Sequence, residues 1–91
     1  METPREFEWD DANAEAHFAK HGVRFDFVVR VILDPAYVDF DASRAEDGET
    51  RRKAVGMIDG KLYVMVYAPR GGIGRIISAR RANAQETRRY G

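Results

Sequence analysis

The segment Arg75-Ile76-Ile77-Ser78-Ala79-Arg80-Arg81 places three guanidinium groups within seven residues. A guanidinium keeps its charge at neutral pH and presents forked donors that match phosphate oxygens, so the segment reads as a phosphate-handling surface. The charge of the chain is divided by position. The formal net charge is zero, yet residues 1–50 carry thirteen acids and five bases, and residues 51–91 carry ten bases and two acids. That asymmetry points to a polyanionic partner for the second half. The competing reading for Arg80 and Arg81 is internal pairing with acids of the first helix region, such as Asp10, Asp11 and Glu15. His17 and His21 stand at i and i+4, a spacing that could share a metal, but no third ligand is signalled and no metal is expected. Ser78 has no base beside it in sequence, and a nucleophile role is unsupported.

Ninety-one residues make one expected domain, 1–91, with a modest core. The chain has no cysteine, which removes disulfides, thiolate nucleophiles and cysteine-based zinc sites together. Residues 1–6 lack the basic and apolar regions of a secretory signal, and the longest apolar runs are too short for a bilayer. A cytoplasmic protein with no membrane association is the expectation.

The elements that must position the arginines read as follows. Phe7-Glu8-Trp9 is a short strand. Asp10 or Asp11 caps a helix running to about Lys20, with Ala12, Ala16 and Ala19 on one close-packing stripe and Gly22 as its left-handed stop. A second helix starts near Arg24. Phe25, Val28, Val29 and Ile32 form its buried face, and Asp34-Pro35 ends it. Strands follow at 37–40, 51–58, 62–67 and 73 to about 80, with an Asp59-Gly60 hairpin turn and a second turn over Pro69-Arg70-Gly71-Gly72. The all-apolar 62–67 segment belongs at the centre of the sheet. Asn83-x-x-Glu86 is a capping box opening a last helix. The order β-α-α-β-β-β-β-α predicts an α+β fold, with a mainly antiparallel sheet and the two N-terminal helices packed on it.

With these elements placed, four segments resemble the BrnT family of type II toxins. They are Phe7-Glu8-Trp9-Asp10, then Lys20-His21-Gly22-Val23 with Phe25, then Asp34-Pro35, and finally Arg75 to Ala82 followed by Glu86 and Arg88-Arg89-Tyr90. Two positions depart from the family's pattern: Asn13 stands where it usually has Lys, and His17 where it usually has Asn. The resemblance implies a RelE-like fold and an endoribonuclease toxin that inhibits translation by cleaving RNA, with no cofactor. It also implies a BrnA-type antitoxin as partner, with operator DNA touched only through that antitoxin.

Cleavage of RNA by its own 2′ oxygen needs help with proton transfer and with charge on the phosphorus centre. Arg75, on a strand and therefore rigidly placed, is the first candidate for that charge, with Arg80 in support. His21 is the candidate proton carrier, since an unperturbed histidine titrates near ~6.5; its alternative is to cap the last carbonyls of the first helix. Lys20, Arg81, Arg51, Arg52, Tyr90 and Trp9 are candidate RNA contacts, the two aromatics through base stacking. In a regular strand Arg75 and Arg81 share one face and Arg80 takes the other, so Arg75 and Arg80 reach one phosphate only if a bulge intervenes. The alternative function is a non-catalytic binding module acting as a co-repressor.

Overall fold

The computed structural model describes residues 3–91. Strand β1 (Glu6–Glu8) leads into helix α1 (Asp11–His21), and helix α2 (Phe25–Val28) runs on as a 3-10 turn over Val29–Leu33. Strands β2 (Val38–Asp41), β3 (Arg52–Ile58), β4 (Lys61–Arg70) and β5 (Ile73–Arg81) follow, and helix α3 (Ala84–Tyr90) comes last. The fold is α+β in the expected element order. The sheet order is β1-β5-β4-β3-β2, which puts β4 at the centre, as its unbroken apolar run requires. Every neighbouring pair is antiparallel except β1 with β5, so the sheet is mixed.

Local chemistry explains most of the boundaries. Asp59 and Gly60 both have positive φ, 51° and 82°, the geometry of the two-residue turn that matches strand twist. The second hairpin is tighter than the sequence suggests. Its turn is Gly71-Gly72 alone, and β4 continues through Pro69 to Arg70. Proline is tolerated there because β3 pairs with β4 only as far as Tyr67, leaving that side of Pro69 without a strand neighbour. Asn83 caps α3 through a complete capping box with Glu86. Asp10 occupies the cap position of α1, but its carboxylate makes no cap hydrogen bond; its carbonyl accepts from Ala14 N–H at 2.9 Å.

Packing corrects two helical expectations. The stripe of Ala12, Ala16 and Ala19 is exposed, and Phe18 is 46 % exposed. Helix α1 instead turns Asn13, Ala14, His17 and His21 inward. The second helix fully buries Phe25, Val28 and Val31, a spacing of three, because it tightens to 3-10 geometry after one turn, while Val29 and Ile32 of the expected face are partly buried against the same core. That tightening brings Val31 against β3 at Gly56, where an added Cβ would stand 2.4 Å from the Val31 carbonyl oxygen. These residues pack on Ala54, Ile58, Met65, Tyr67, Ile76 and Ala79, which form one face of the sheet.

Candidate nucleic-acid interface

Ile76 and Ala79 both lie in that core, three residues apart on one strand, which strict alternation forbids. The register accounts for it. Tyr67 pairs with Ile76 and Val66 with Ser78, so Ile77 is an extra residue without a partner on β4. Asn13 Nδ2 donates to the Ile77 carbonyl at 3.2 Å, beyond the end of β1. The bulge resets the phase of β5. Arg75 opposite Ala68, Ser78 opposite Val66, and Arg80 opposite Val64 therefore share the face away from α1 and α2.

On that open face lies a hollow of about 560 Å³ between β2, β3, β5 and α3. Arg44, Arg51, Lys53, Arg80 and Arg89 line it, against Asp41 and Glu86. Its volume falls in the range of roughly 300–1,000 Å³ that small ligands occupy. The Arg89 guanidinium stacks on the Phe40 ring, 4.0 Å from its centroid. Arg51 Nε has no hydrogen-bond partner among the described residues.

Glu86 is the electrostatic centre of this surface and is only 2 % exposed. Arg80 grips it with both terminal nitrogens, at 2.8 and 2.7 Å, and Lys53 Nζ reaches it at 2.7 Å. Burial pushes the Glu86 carboxyl up, but hydrogen bonds from Arg80, Lys53 and the Asn83 N–H outweigh it and hold the group down at about 2. The bond to Glu86 in turn raises Arg80, which is charged at any working pH. The internal partner of Arg80 is thus Glu86 on α3, and not an acid of α1.

The remaining candidates are dispersed. Arg75 is on the open face, one step along β5 from the hollow, and pairs with Glu8 at 3.2 Å. Arg51 lines the hollow and pairs with Asp47 at 3.5 Å. Arg52 points to the core side, where its Nε donates to Asp39 at 2.7 Å; Tyr67 O–H and Thr3 donate to the same carboxylate. Burial and then that carboxylate push the Tyr67 hydroxyl up, so it stays protonated. Arg81 also lies on the core side, over the Tyr63 ring at 5.5 Å. His21 stacks on His17 with centroids 5.7 Å apart. Burial, then His21 and Lys20, lower the His17 pKa and favour its neutral form. Neither Lys20 nor His21 lines the hollow. Trp9 packs edge-on against Phe25 and borders a separate hollow whose charged lining is Asp11, Glu15, Arg24 and Asp26. Tyr90 donates its hydroxyl to Asp34 at 2.6 Å.

Sequence reasoning reached Lys53 only as part of the basic run Arg51-Arg52-Lys53 that could widen a phosphate track, and missed Arg44 and Arg89 as members of one surface and Glu86 as its anchor. Alternation within Arg51-Arg52-Lys53 carried part of that signal, since it separates Arg52 from its two neighbours.

A mixed sheet with α1 and α2 on one face, and α3 beside a guanidinium-lined hollow on the other, defines a small α+β domain suited to polyanions. The chain belongs to the BrnT family: residues 9–86 match the family described as the ribonuclease toxin, BrnT, of a type II toxin-antitoxin system. No curated protein matches the chain. Among the described residues no helix is long and apolar enough to cross a membrane, and no three His, Cys, Asp or Glu side chains converge as metal ligands.

Proposed function

We propose that residues 1–91 form a single RelE-like domain acting in the cytoplasm as a metal-independent endoribonuclease, which inhibits translation by cleaving RNA. A BrnA-type antitoxin neutralises it by covering the open face, and operator DNA is contacted through that antitoxin. One observation carries the reading: the Ile77 bulge sets Arg75, Ser78 and Arg80 on the face that also bears Arg51 and Lys53. In the reaction the 2′ hydroxyl gives its proton to water as its oxygen attacks phosphorus, the bond from phosphorus to the 5′ oxygen breaks, and that oxygen takes a proton from water as it leaves, so that the products are a 2′,3′-cyclic phosphate and a 5′ hydroxyl. Arg75 and Arg80 stabilise the negative charge that builds on the non-bridging oxygens. Lys20, His21 and Trp9, across the sheet, would meet only RNA that runs past α1.

The test is incubation of the purified chain with total RNA in EDTA, beside the Arg75→Ala and Arg80→Ala forms. Fragments that vanish with both substitutions support the proposal, and undiminished cleavage by folded Arg75→Ala and Arg80→Ala proteins overturns the assignment. The ion pairs Arg75–Glu8 and Arg80–Glu86 favour one alternative, a non-catalytic co-repressor module in which these arginines hold the fold. Binding without fragments selects it.

A further inference from the structure

Resting on the reading of the open face as the RNA site, we propose that Lys53 is a phosphate-binding residue of that site and that Glu86 is a positioning residue acting through Lys53 and Arg80.

A capping box asks one thing of its glutamate: acceptance from the N-cap N–H. Glu86 does this with Oε1, at 2.9 Å from Asn83 N. The same carboxylate does much more. Oε1 also accepts from one terminal nitrogen of Arg80, and Oε2 accepts from the other and from Lys53 Nζ. Four donors thus fill the lone-pair sites of one nearly buried carboxylate. It ties β3 to β5 across the floor of the hollow, a task unrelated to starting a helix.

The geometry leaves useful donors free. A guanidinium has two forks. The terminal pair of Arg80 is committed to Glu86, and one of those nitrogens also donates to the Arg81 carbonyl at 3.2 Å. The fork formed by Nε and the adjacent terminal nitrogen keeps its open edge, and Nε donates to nothing among the described residues. Lys53 spends one of three protons on Glu86. Both residues line the hollow. Two cations against one anion leave this cluster with a net positive charge, and the bidentate grip fixes the guanidinium plane. A rigid, oriented cation is what stabilisation of a phosphorus centre requires, because orientation arranged in advance costs nothing during reaction.

The proposal makes binding and turnover move apart. Glu86→Gln keeps the shape and suits a capping box, but it removes the negative charge and the fork-on-fork grip. Binding of an uncleavable 2′-O-methyl oligonucleotide should be equal or tighter, while kcat on the corresponding RNA falls about ten-fold or more. Lys53→Met should weaken the oligonucleotide Kd by roughly ten-fold, the loss expected for one charge-assisted bond. Should Glu86→Gln fail to fold, Arg80→Lys decides. It keeps the charge and loses the fork, so kcat should fall about ten-fold or more with Kd nearly unchanged.

If Lys53→Met and Arg80→Ala bind and cleave like the parent, the reading of this face as the RNA site fails, and the proposal with it. If both lose binding but Glu86→Gln keeps kcat within about two-fold, the site stands and the positioning role is overturned. Parallel loss of binding, turnover and thermal stability in Glu86→Gln also overturns it, leaving Glu86 as a structural cap. A folded Arg80→Lys protein with parental kcat does the same.

Discussion

Acid should weaken this fold through one carboxyl more than through any other. Glu86 lies at about 2 in the folded protein against an ordinary 4.5, so its bonds contribute stability that is fully present above pH ~4.5 and is lost as pH falls towards 2. At about 1.4 kcal/mol per pH unit the whole difference corresponds to about 3 kcal/mol. Lys53 and Arg80 are each 26 % exposed, so water screens part of this, and about 2 kcal/mol is the working figure. The measurement is urea unfolding, followed by Trp9 fluorescence at pH 7, 5, 4, 3 and 2, of the parent and Glu86→Gln. The advantage of the parent at pH 7 should shrink by about 2 kcal/mol by pH 2. The Asp34 carboxyl, held low by Tyr90, and the Asp47 carboxyl, held low by Arg44, titrate alike in both proteins and cancel in the difference. Parallel stability profiles, within about 0.5 kcal/mol across the range, would refute the argument.

Three other outcomes are expected. Gly56→Ala drives a Cβ into the Val31 backbone and should cost about 2–3 kcal/mol in urea unfolding; a parental midpoint would mean that the 3-10 turn yields freely. Tyr90→Phe removes the donor to Asp34, a carboxylate that also accepts from the Ala36 and Met57 N–H groups, and thermal unfolding should fall by about 2–5 °C. Arg75→Ala breaks an exposed pair with Glu8, so stability should change by less than about 1 kcal/mol. Its RNA cleavage should nevertheless drop by about 10²–10³, and loss of stability and cleavage together would contradict that separation.

What the sequence disclosed was what is local. The Asp59-Gly60 turn, the Asn83–Glu86 capping box and the left-handed Gly22 each depend on a few adjacent residues, and each lies where the pattern put it. The central position of β4 followed from its apolar run. The second helix was harder. Phe25, Val28, Val29, Val31 and Ile32 satisfy a spacing of three as well as one of 3.6, and only contact with β3 chooses between them. The bulge at Ile77 has no glycine to mark it, and its carbonyl is met by a residue 64 positions away. The partner of Arg80 was misplaced for a related reason: the acidic half drew attention to α1, while the acid that binds it lies six residues further on, across a strand-to-helix turn. The parallel pairing of β1 with β5 joins the first and last strands and has no local signature at all.

That parallel pairing sets an order of assembly. Strand β1 is synthesised first, yet its sheet partner is the last strand made, and the Glu8–Arg75 contact spans 67 residues. Closing so long a loop is slow relative to forming the hairpins of β3, β4 and β5, which are contiguous in sequence. The open face has the same dependence, because it needs β5 for Arg75 and Arg80 and α3 for Glu86. Until those segments have emerged, a nascent chain carries its acids and its first helix but no assembled cationic surface. The cationic surface therefore exists only once nearly all of the described chain has been made.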